Sequence, residues 1–373
     1  MGRKNFKVDV NPEVIRWARE SAGYKAEEIA KKLRISKDAY MQIEKGVISP
    51  TFRQLELMSE YFKRPLSALL LSKPPDEKPI TSSFRILPKS EEGFSKEFLL
   101  VLRKARYYQS IINELMKEMG IDPKPNVKSY SLEDDPRKTA LQERESINIS
   151  IQEQLSWKNA YGAFNAWRRV IEEKNIIVMQ MKFPIKEARG FVLMDKDPPF
   201  IVVNTSDNIL ARIFTLFHEY AHILLGISEI YTEDVFVNPK VEKWCNVFAS
   251  EFLLPKDILT REFELKGEGV VEDISKKFKV SKKAVLTKLY LLRKIDESTY
   301  QTRVKKLEDT TSKIPIKPPL HKKRLQEGGA KFLSLLFEAK EKNLITTHDL
   351  LEYLDVNLES LYKIKKELQH YLI

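Results

Sequence analysis

The amino-acid sequence predicts an α+β protein: a mainly helical, multidomain chain with one small sheet. Three observations predict it. Apolar residues recur at helical spacing along most of the 373 residues. Short runs of strand-forming residues are confined to the stretch 176–203. The stretch Lys73-Pro74-Pro75-Asp76-Glu77-Lys78-Pro79 opposes helix and sheet alike and separates two regions of the chain. A hydrophobic share of 42% rules out a chain too polar to fold, so packed cores are expected. The organisation reads as residues 1–72, a linker 73–94, a principal unit 95–268, a basic segment 269–311 and a helical C-terminal region 312–373.

Residues 11–71 form a run of five short helices. Pro12 opens the first and Gly23 ends it. Lys25 to Leu33 is the second, with Ile29, Ala30 and Leu33 on one face. Ser36 caps a third over 37–44, closed by Lys45-Gly46. Thr51 caps a fourth over 52–62, and Pro65 opens a fifth over 66–71. Further on, 95–119 and 151–174 read as helices, with the proline-bearing stretch 122–137 as an irregular connection.

The runs Ile176-Ile177-Val178-Met179, Gly190-Phe191-Val192-Leu193-Met194 and Phe200-Ile201-Val202-Val203 predict three strands. Asp207 is placed to cap a long helix ending at Gly226. Another helix, about 239–253, stops before Pro255. Residues 270–294 repeat the helix–turn–helix pattern, with Ser281 as a cap. Residues 312–326 read as a flexible linker, and 331–343 and 346–369 as a terminal helical pair. No repeat of fixed period is visible. Trp17, Trp157, Trp167 and Trp244 sit at helical spacing and read as core.

The chemistry concentrates at His218-Glu219-Tyr220-Ala221-His222. On a helix, residues i and i+4 share a face, so both imidazoles can meet one ion. Imidazole suits zinc, and Glu219 beside the pair can serve as a general base. The flanking residues are apolar, so burial would strand two histidines and a carboxylate in a core unless a metal joined them. Glu242 is the expected third ligand, with Asn246 one turn later supporting the site; Glu251 and Glu229 are the alternatives. Cys245, the single cysteine, falls off that face and reads as a core thiol. His321, His348 and His370 read as surface residues. Tyr231 is the candidate for stabilising a tetrahedral intermediate.

The stretches Phe214-Thr215-Leu216-Phe217-His218-Glu219-Tyr220-Ala221-His222 and Glu242-Lys243-Trp244-Cys245-Asn246-Val247-Phe248-Ala249-Ser250-Glu251-Phe252-Leu253-Leu254-Pro255 resemble the ImmA/IrrE metallopeptidase family. Cys245 and Phe252 stand where that pattern commonly has an alanine-like residue and leucine. The resemblance spans roughly residues 10–300, and includes Phe84-Arg85-Ile86-Leu87-Pro88 and the stretch 155–210. It implies a zinc peptidase in which His218, His222 and Glu242 hold Zn2+ and Glu219 is the catalytic base. It also implies a regulatory role and a protein substrate, a helix–turn–helix repressor. Cleavage of the chain's own linker near 73–80 is a further possibility.

Residues 11–71 are similar to the XRE/Cro-type helix–turn–helix, which places the helix 37–44 in a DNA major groove. Lys37, Tyr40, Met41 and Lys45 are then the candidate DNA contacts, although Asp38 puts a negative charge on the same helix, and docking of protein instead of DNA stays open. The net charge of +11 fits a polyanionic partner. Lys282 and Lys283, in a span of lysines with no acidic residue between 276 and 294, are a second phosphate-binding candidate. Lack of an apolar leader and the single cysteine predict a cytoplasmic protein with no membrane partner; a homodimer through the N-terminal helices is a further expectation. A second functional class also stays open: a DNA-binding regulator whose zinc is a sensor or structural.

Overall fold

The computed structural model describes residues 6–75, 94–227, 230–231, 238–308 and 318–371. Most of the linker 73–94, with Phe84 to Pro88 and most of the stretch 73–80, lies outside the described residues, as do Glu229 and the side chains of Tyr231 and His370. The chain packs as two compact units, 1–107 and 108–373.

The first unit holds α1 (Pro12–Ser21), α2 (Ala26–Leu33), α3 (Lys37–Glu44), α4 (Phe52–Phe62) and α5 (Leu66–Leu69), and the beginning of α6 (Lys96–Glu118). The expected caps are in place. Ser36 accepts from the Ala39 amide at 3.1 Å and Thr51 from the Gln54 amide at 3.2 Å. Each satisfies a donor that the first helical turn leaves open, a contribution of about 1 kcal/mol. Ile15, Ala18, Ile29, Leu33, Tyr40, Ile43, Leu55, Met58 and Phe62 form the core. Arg19 grips Glu44 with two hydrogen bonds of 2.6 and 3.0 Å, tying α1 to the end of α3.

The second unit begins with the rest of α6. It continues through α7 (Pro136–Ser146), α8 (Ile151–Ser156), α9 (Ala160–Glu173), β1 (Ile177–Met181), β2 (Gly190–Leu193), β3 (Phe200–Asn204), α10 (Ile209–Leu225), β4 (Ile230–Tyr231) and α11 (Pro239–Leu253). Then follow α12 (Lys256–Lys266), α13 (Val270–Phe278), α14 (Lys282–Leu291), α15 (Glu297–Glu308), α16 (Leu320–Glu341), α17 (Thr347–Leu354) and α18 (Leu358–Tyr371). The sheet order is β1-β3-β2-β4, with β1 parallel to β3 and β2 antiparallel to both β3 and β4. All residues of β1, β2 and β3 are buried, which is why they read as continuous apolar runs without alternation. No described helix is long and apolar enough to cross a membrane.

Several elements depart from the sequence reading. The stretch 151–174 is two helices, because the Asn159 side chain caps a new start by accepting from the Gly162 amide. The proline-bearing connection ends in the start of α7, which Asp135 caps and Pro136 opens. The cap of α10 is Asn208; Asp207 instead pairs with Arg189 at 2.5 Å. Residues 320–326 are the first turns of α16, so the linker reading is wrong there; Pro319 precedes a helix start, where its fixed φ is no obstacle.

α16 packs on β1 and α9, so the C-terminal region completes the second unit. Its kink at Gly329 (φ 74) is filled by the buried Arg168 guanidinium, leaving no room for a Cβ. Arg168 donates to the Gln326 carbonyl at 2.8 Å, to the Val178 carbonyl of β1, and to Glu172 at 3.0 Å.

Candidate metal centre

α10 is apolar nearly all round, and residues 215–224 are all buried. A helix of this kind belongs in a core. It is closed by Gly226 at φ 65, a left-handed C-cap. Its aromatic residue Phe217 stacks on Phe252 of α11 (4.2 Å between centroids) and meets Trp167 of α9 edge-on at 5.1 Å. Such pairs add about 0.5–1.5 kcal/mol each beyond burial, and here they lock α10 to α11 and α9. His218, Glu219 and His222 are all fully buried in this packing.

The three candidate ligands converge. His218 Nε2 lies 3.2 Å from His222 Nε2. Glu242, from the first turn of α11, places Oε2 at 3.2 Å from His218 Nε2 and Oε1 at 3.3 Å from His222 Nε2. Donor atoms in a tetrahedral shell about 2.0–2.1 Å from zinc sit about 3.3–3.4 Å apart, so the spacing fits one ion. Two imidazoles and a carboxylate are also a zinc donor set. Asn246 Oδ1 is 3.1 Å from His218 Nδ1, which turns the other ring nitrogen towards the shared point. Glu251, the alternative ligand, is elsewhere: it pairs with the buried Lys288 at 2.7 Å. Cys245 is buried in the core.

Glu219 completes the site. Both its carboxylate oxygens are buried without a hydrogen-bond partner among the described groups. Burial pushes its pKa well above the usual carboxylate range, and the nearby Glu242 charge pushes the same way. Glu242 goes the other way. Burial raises it, but hydrogen bonds and charge from His218 and His222 outweigh that and hold it at about 2. The two carboxyls of the site are thus pushed in opposite directions.

Gly190, on β2, is a site residue that the sequence reading missed. A Cβ there would lie 2.5 Å from Thr215 Cγ2 and 3.0 Å from Glu219 Oε1. The only signal in the sequence was a glycine inside a strand pattern, which marks close approach. Gly190→Ala is expected to destabilise the chain by about 1–3 kcal/mol through overpacking. Adding Thr215→Ser, which removes the offending methyl, should recover part of it. A thermal midpoint equal to wild type for Gly190→Ala would refute the close packing.

The DNA-contact candidates divide. Lys37 and Lys45 are exposed and Met41 is half-buried, though Lys37 pairs with Glu27. Tyr40, expected as a DNA contact, is fully buried and out of reach of DNA: with Ile43 it forms the core face of α3. Gln42, which the sequence reading passed over, is exposed on the same side as Asp38 and Lys45. Lys282 and Lys283 are exposed, but their surroundings are not those of a free groove-reading helix. Lys282 pairs with Glu272 at 3.2 Å and Lys294 with Glu264 at 3.0 Å, acidic partners from outside the lysine-rich span. On α14, Leu286 is buried, Tyr290 stacks on Tyr300 of α15 at 5.0 Å, and Thr287 reaches the same ring's hydroxyl at 3.3 Å. α15 therefore covers the face that would enter DNA.

α13–α14 nonetheless copies α2–α3. Both have a left-handed residue (Arg34, Lys279), an apolar one (Ile35, Val280) and a serine cap (Ser36, Ser281). Glu27–Lys37 and Glu272–Lys282 are the same ion pair in each. Of the remaining histidines, His348 is exposed, whereas His321 is partly buried against Glu367 at 3.1 Å, so the surface reading fails for it.

A buried helix thus carries two imidazoles one turn apart, and the next helix supplies a carboxylate beside them. Family models match two stretches of the chain. Residues 171–290 match the IrrE N-terminal-like domain of peptidase family M78, and residues 15–69 match a helix-turn-helix family. The chain thus joins a helix–turn–helix domain to an IrrE N-terminal-like domain, the fusion its sequence resembles. No curated protein and no solved structure matches the chain.

Proposed function

We propose that the chain is a zinc-dependent endopeptidase that regulates transcription by cutting a helix–turn–helix repressor, with its own N-terminal domain binding DNA or docking protein. The observation that supports this best is the meeting of His218, His222 and Glu242 at ligand spacing beside a buried carboxylate with no hydrogen-bond partner among the described residues. His218, His222 and Glu242 would hold Zn2+. Zinc bound there supplies a Lewis acid that polarises a peptide carbonyl and makes water more acidic. Glu219 takes the proton of the attacking water on its carboxylate and passes it to the departing amine. Asn246 keeps His218 in the tautomer that leaves Nε2 for the metal. The apolar walls of α10 and α11 exclude bulk water, which strengthens each of these interactions. A purely structural zinc has no use for Glu219, which is costly to bury unpaired.

The test is to incubate the purified chain with helix–turn–helix repressors encoded near it, with zinc and after chelation. Cleavage that needs the metal supports the reading; no cleavage of any of them, with or without DNA, favours a non-cleaving regulator.

For the N-terminal domain, a salt series on duplex DNA is the check. Lys45→Ala should weaken binding and flatten the slope of log affinity against log salt by about one, the signature of one lost phosphate contact. Tyr40→Phe should leave both unchanged. An unaltered slope for Lys45→Ala would remove α3 from the DNA interface.

A further inference from the structure

α7 and the segment before it touch both helices that carry the candidate ligands. Ahead of α7, the Asp134 carbonyl accepts from Trp244 Nε1 of α11 at 2.8 Å. Within α7, Glu143 is buried (1% exposed) and faces α10. Its Oε2 accepts the Tyr220 hydroxyl at 2.6 Å, and its Oε1 accepts the Tyr130 hydroxyl at 2.9 Å. Lys174 Nζ lies 3.5 Å from the same carboxylate. The Tyr130 amide in turn donates to the Leu224 carbonyl at 2.9 Å, near the end of α10.

A buried carboxylate is costly unless it is paired and hydrogen-bonded, and Glu143 is both. The use of that expense lies in where Tyr220 sits. Each helical residue advances about 100°, so Tyr220 is about 200° from both His218 and His222. It points away from the metal face while sharing its turn. Helix packing fixes axial position, but apolar contacts are non-directional and resist rotation weakly. A short hydrogen bond to a fixed carboxylate is directional.

We propose that Glu143 is the positioning residue of the metal centre: by accepting the Tyr220 hydroxyl it sets the rotation of α10 about its axis and so holds His218 and His222 at ligand spacing. The inference rests on the zinc reading above. Glu143 acts through Tyr220 and touches neither ligand. Outer partners of this kind commonly change metal affinity about 10- to 100-fold when removed.

The test uses the full chain, as wild type, Tyr220→Phe, Glu143→Gln and Glu143→Ala. Zinc affinity is read by competition with a chromophoric chelator, ligand geometry by the visible spectrum of the cobalt(II) form, and stability by the thermal midpoint of the metal-free form. Tyr220→Phe should bind zinc about 10- to 100-fold more weakly and shift the cobalt bands. Glu143→Gln, which keeps an acceptor oxygen, should recover part of what Glu143→Ala loses. Should Glu143→Ala fail to fold, Tyr220→Phe decides alone. A lower midpoint in Tyr220→Phe with unchanged zinc affinity and cobalt spectrum would make Glu143 an ordinary core group and overturn the proposal. If wild type takes up no zinc, the metal reading itself fails. The imidazole NMR signals of His218 and His222 in the metal-free chain then decide the positioning. They should differ between wild type and Tyr220→Phe, and identical signals overturn it.

Discussion

Glu219→Gln is expected to cut the rate of substrate cleavage by about 100- to 10,000-fold while zinc binding stays intact. Glutamine keeps the shape of the side chain but cannot accept the proton of water, and Glu219 is not among the three converging donors. The same substitution should make the metal-free chain more stable at neutral pH, by about 0.5–2 kcal/mol, the usual scale of a function–stability trade-off. The sign follows from the raised pKa of Glu219. A carboxyl raised in the folded state contributes stability that is complete below its unfolded pKa of about 4.3 and is lost as pH climbs through the folded value. Wild type carries that loss at pH 7 to 8 and Glu219→Gln does not, so the difference in midpoint should shrink towards pH 4. A variant that cleaves at the wild-type rate would remove Glu219 from the chemistry. One that is inactive but less stable at pH 7 would mean that Glu219 has structural partners.

Lys288→Met should lower stability by about 3–5 kcal/mol. Lys288 is 6% exposed and donates to Glu251 at 2.7 Å, to the Ser250 carbonyl at 3.1 Å and to the Leu254 carbonyl. The Ser250 carbonyl also accepts from the Leu254 amide at 3.1 Å, whereas the Leu254 carbonyl lies just past the end of α11. Arg144 covers the Phe252 carbonyl at 2.7 Å and Gln154 the Leu253 carbonyl at 3.0 Å. Methionine fills the volume but leaves the Glu251 charge buried and takes the Lys288 donor from the Leu254 carbonyl. At about 2–4 °C per kcal/mol, the midpoint should fall by about 6–20 °C. Adding Glu251→Gln removes the stranded charge and should recover a good part of the loss. A single variant that melts within a degree or two of wild type would show that the pair is solvated in solution.

Much of the fold is legible in the sequence where a local signal decides the outcome. Ser36, Thr51 and Ser281 stand before apolar-periodic runs and cap helices there. His218 and His222 share a face by spacing alone, and the fusion of the two domains is carried by motifs. The failures come where tertiary contacts override local pattern. The start of α7 reads as part of an irregular connection and the rest goes unassigned, because its buried residues include Thr139, Glu143 and Arg144, which no apolar periodicity reveals. Its cap, Asp135 before Pro136, was the available signal. Residues 320–326 read as linker because lysines and prolines outnumber apolar residues over 312–326, yet the helix is held from outside by Arg168 and Gln180 on the Gln326 carbonyl. Tyr40 reads as a contact residue because tyrosine is amphipathic; only its place beside Ile43 on α3 settles that it is buried. The lysines of 276–294 look unopposed because their partners, Glu251, Glu264 and Glu272, lie earlier in the chain.

The most direct measurement is anomalous X-ray diffraction at the zinc edge from crystals of the full chain grown with zinc. The account predicts one peak, about 2.0–2.2 Å from His218 Nε2, His222 Nε2 and a Glu242 oxygen, with a fourth position not taken by protein. No peak between α10 and α11, or a zinc closed by four protein ligands, would contradict it.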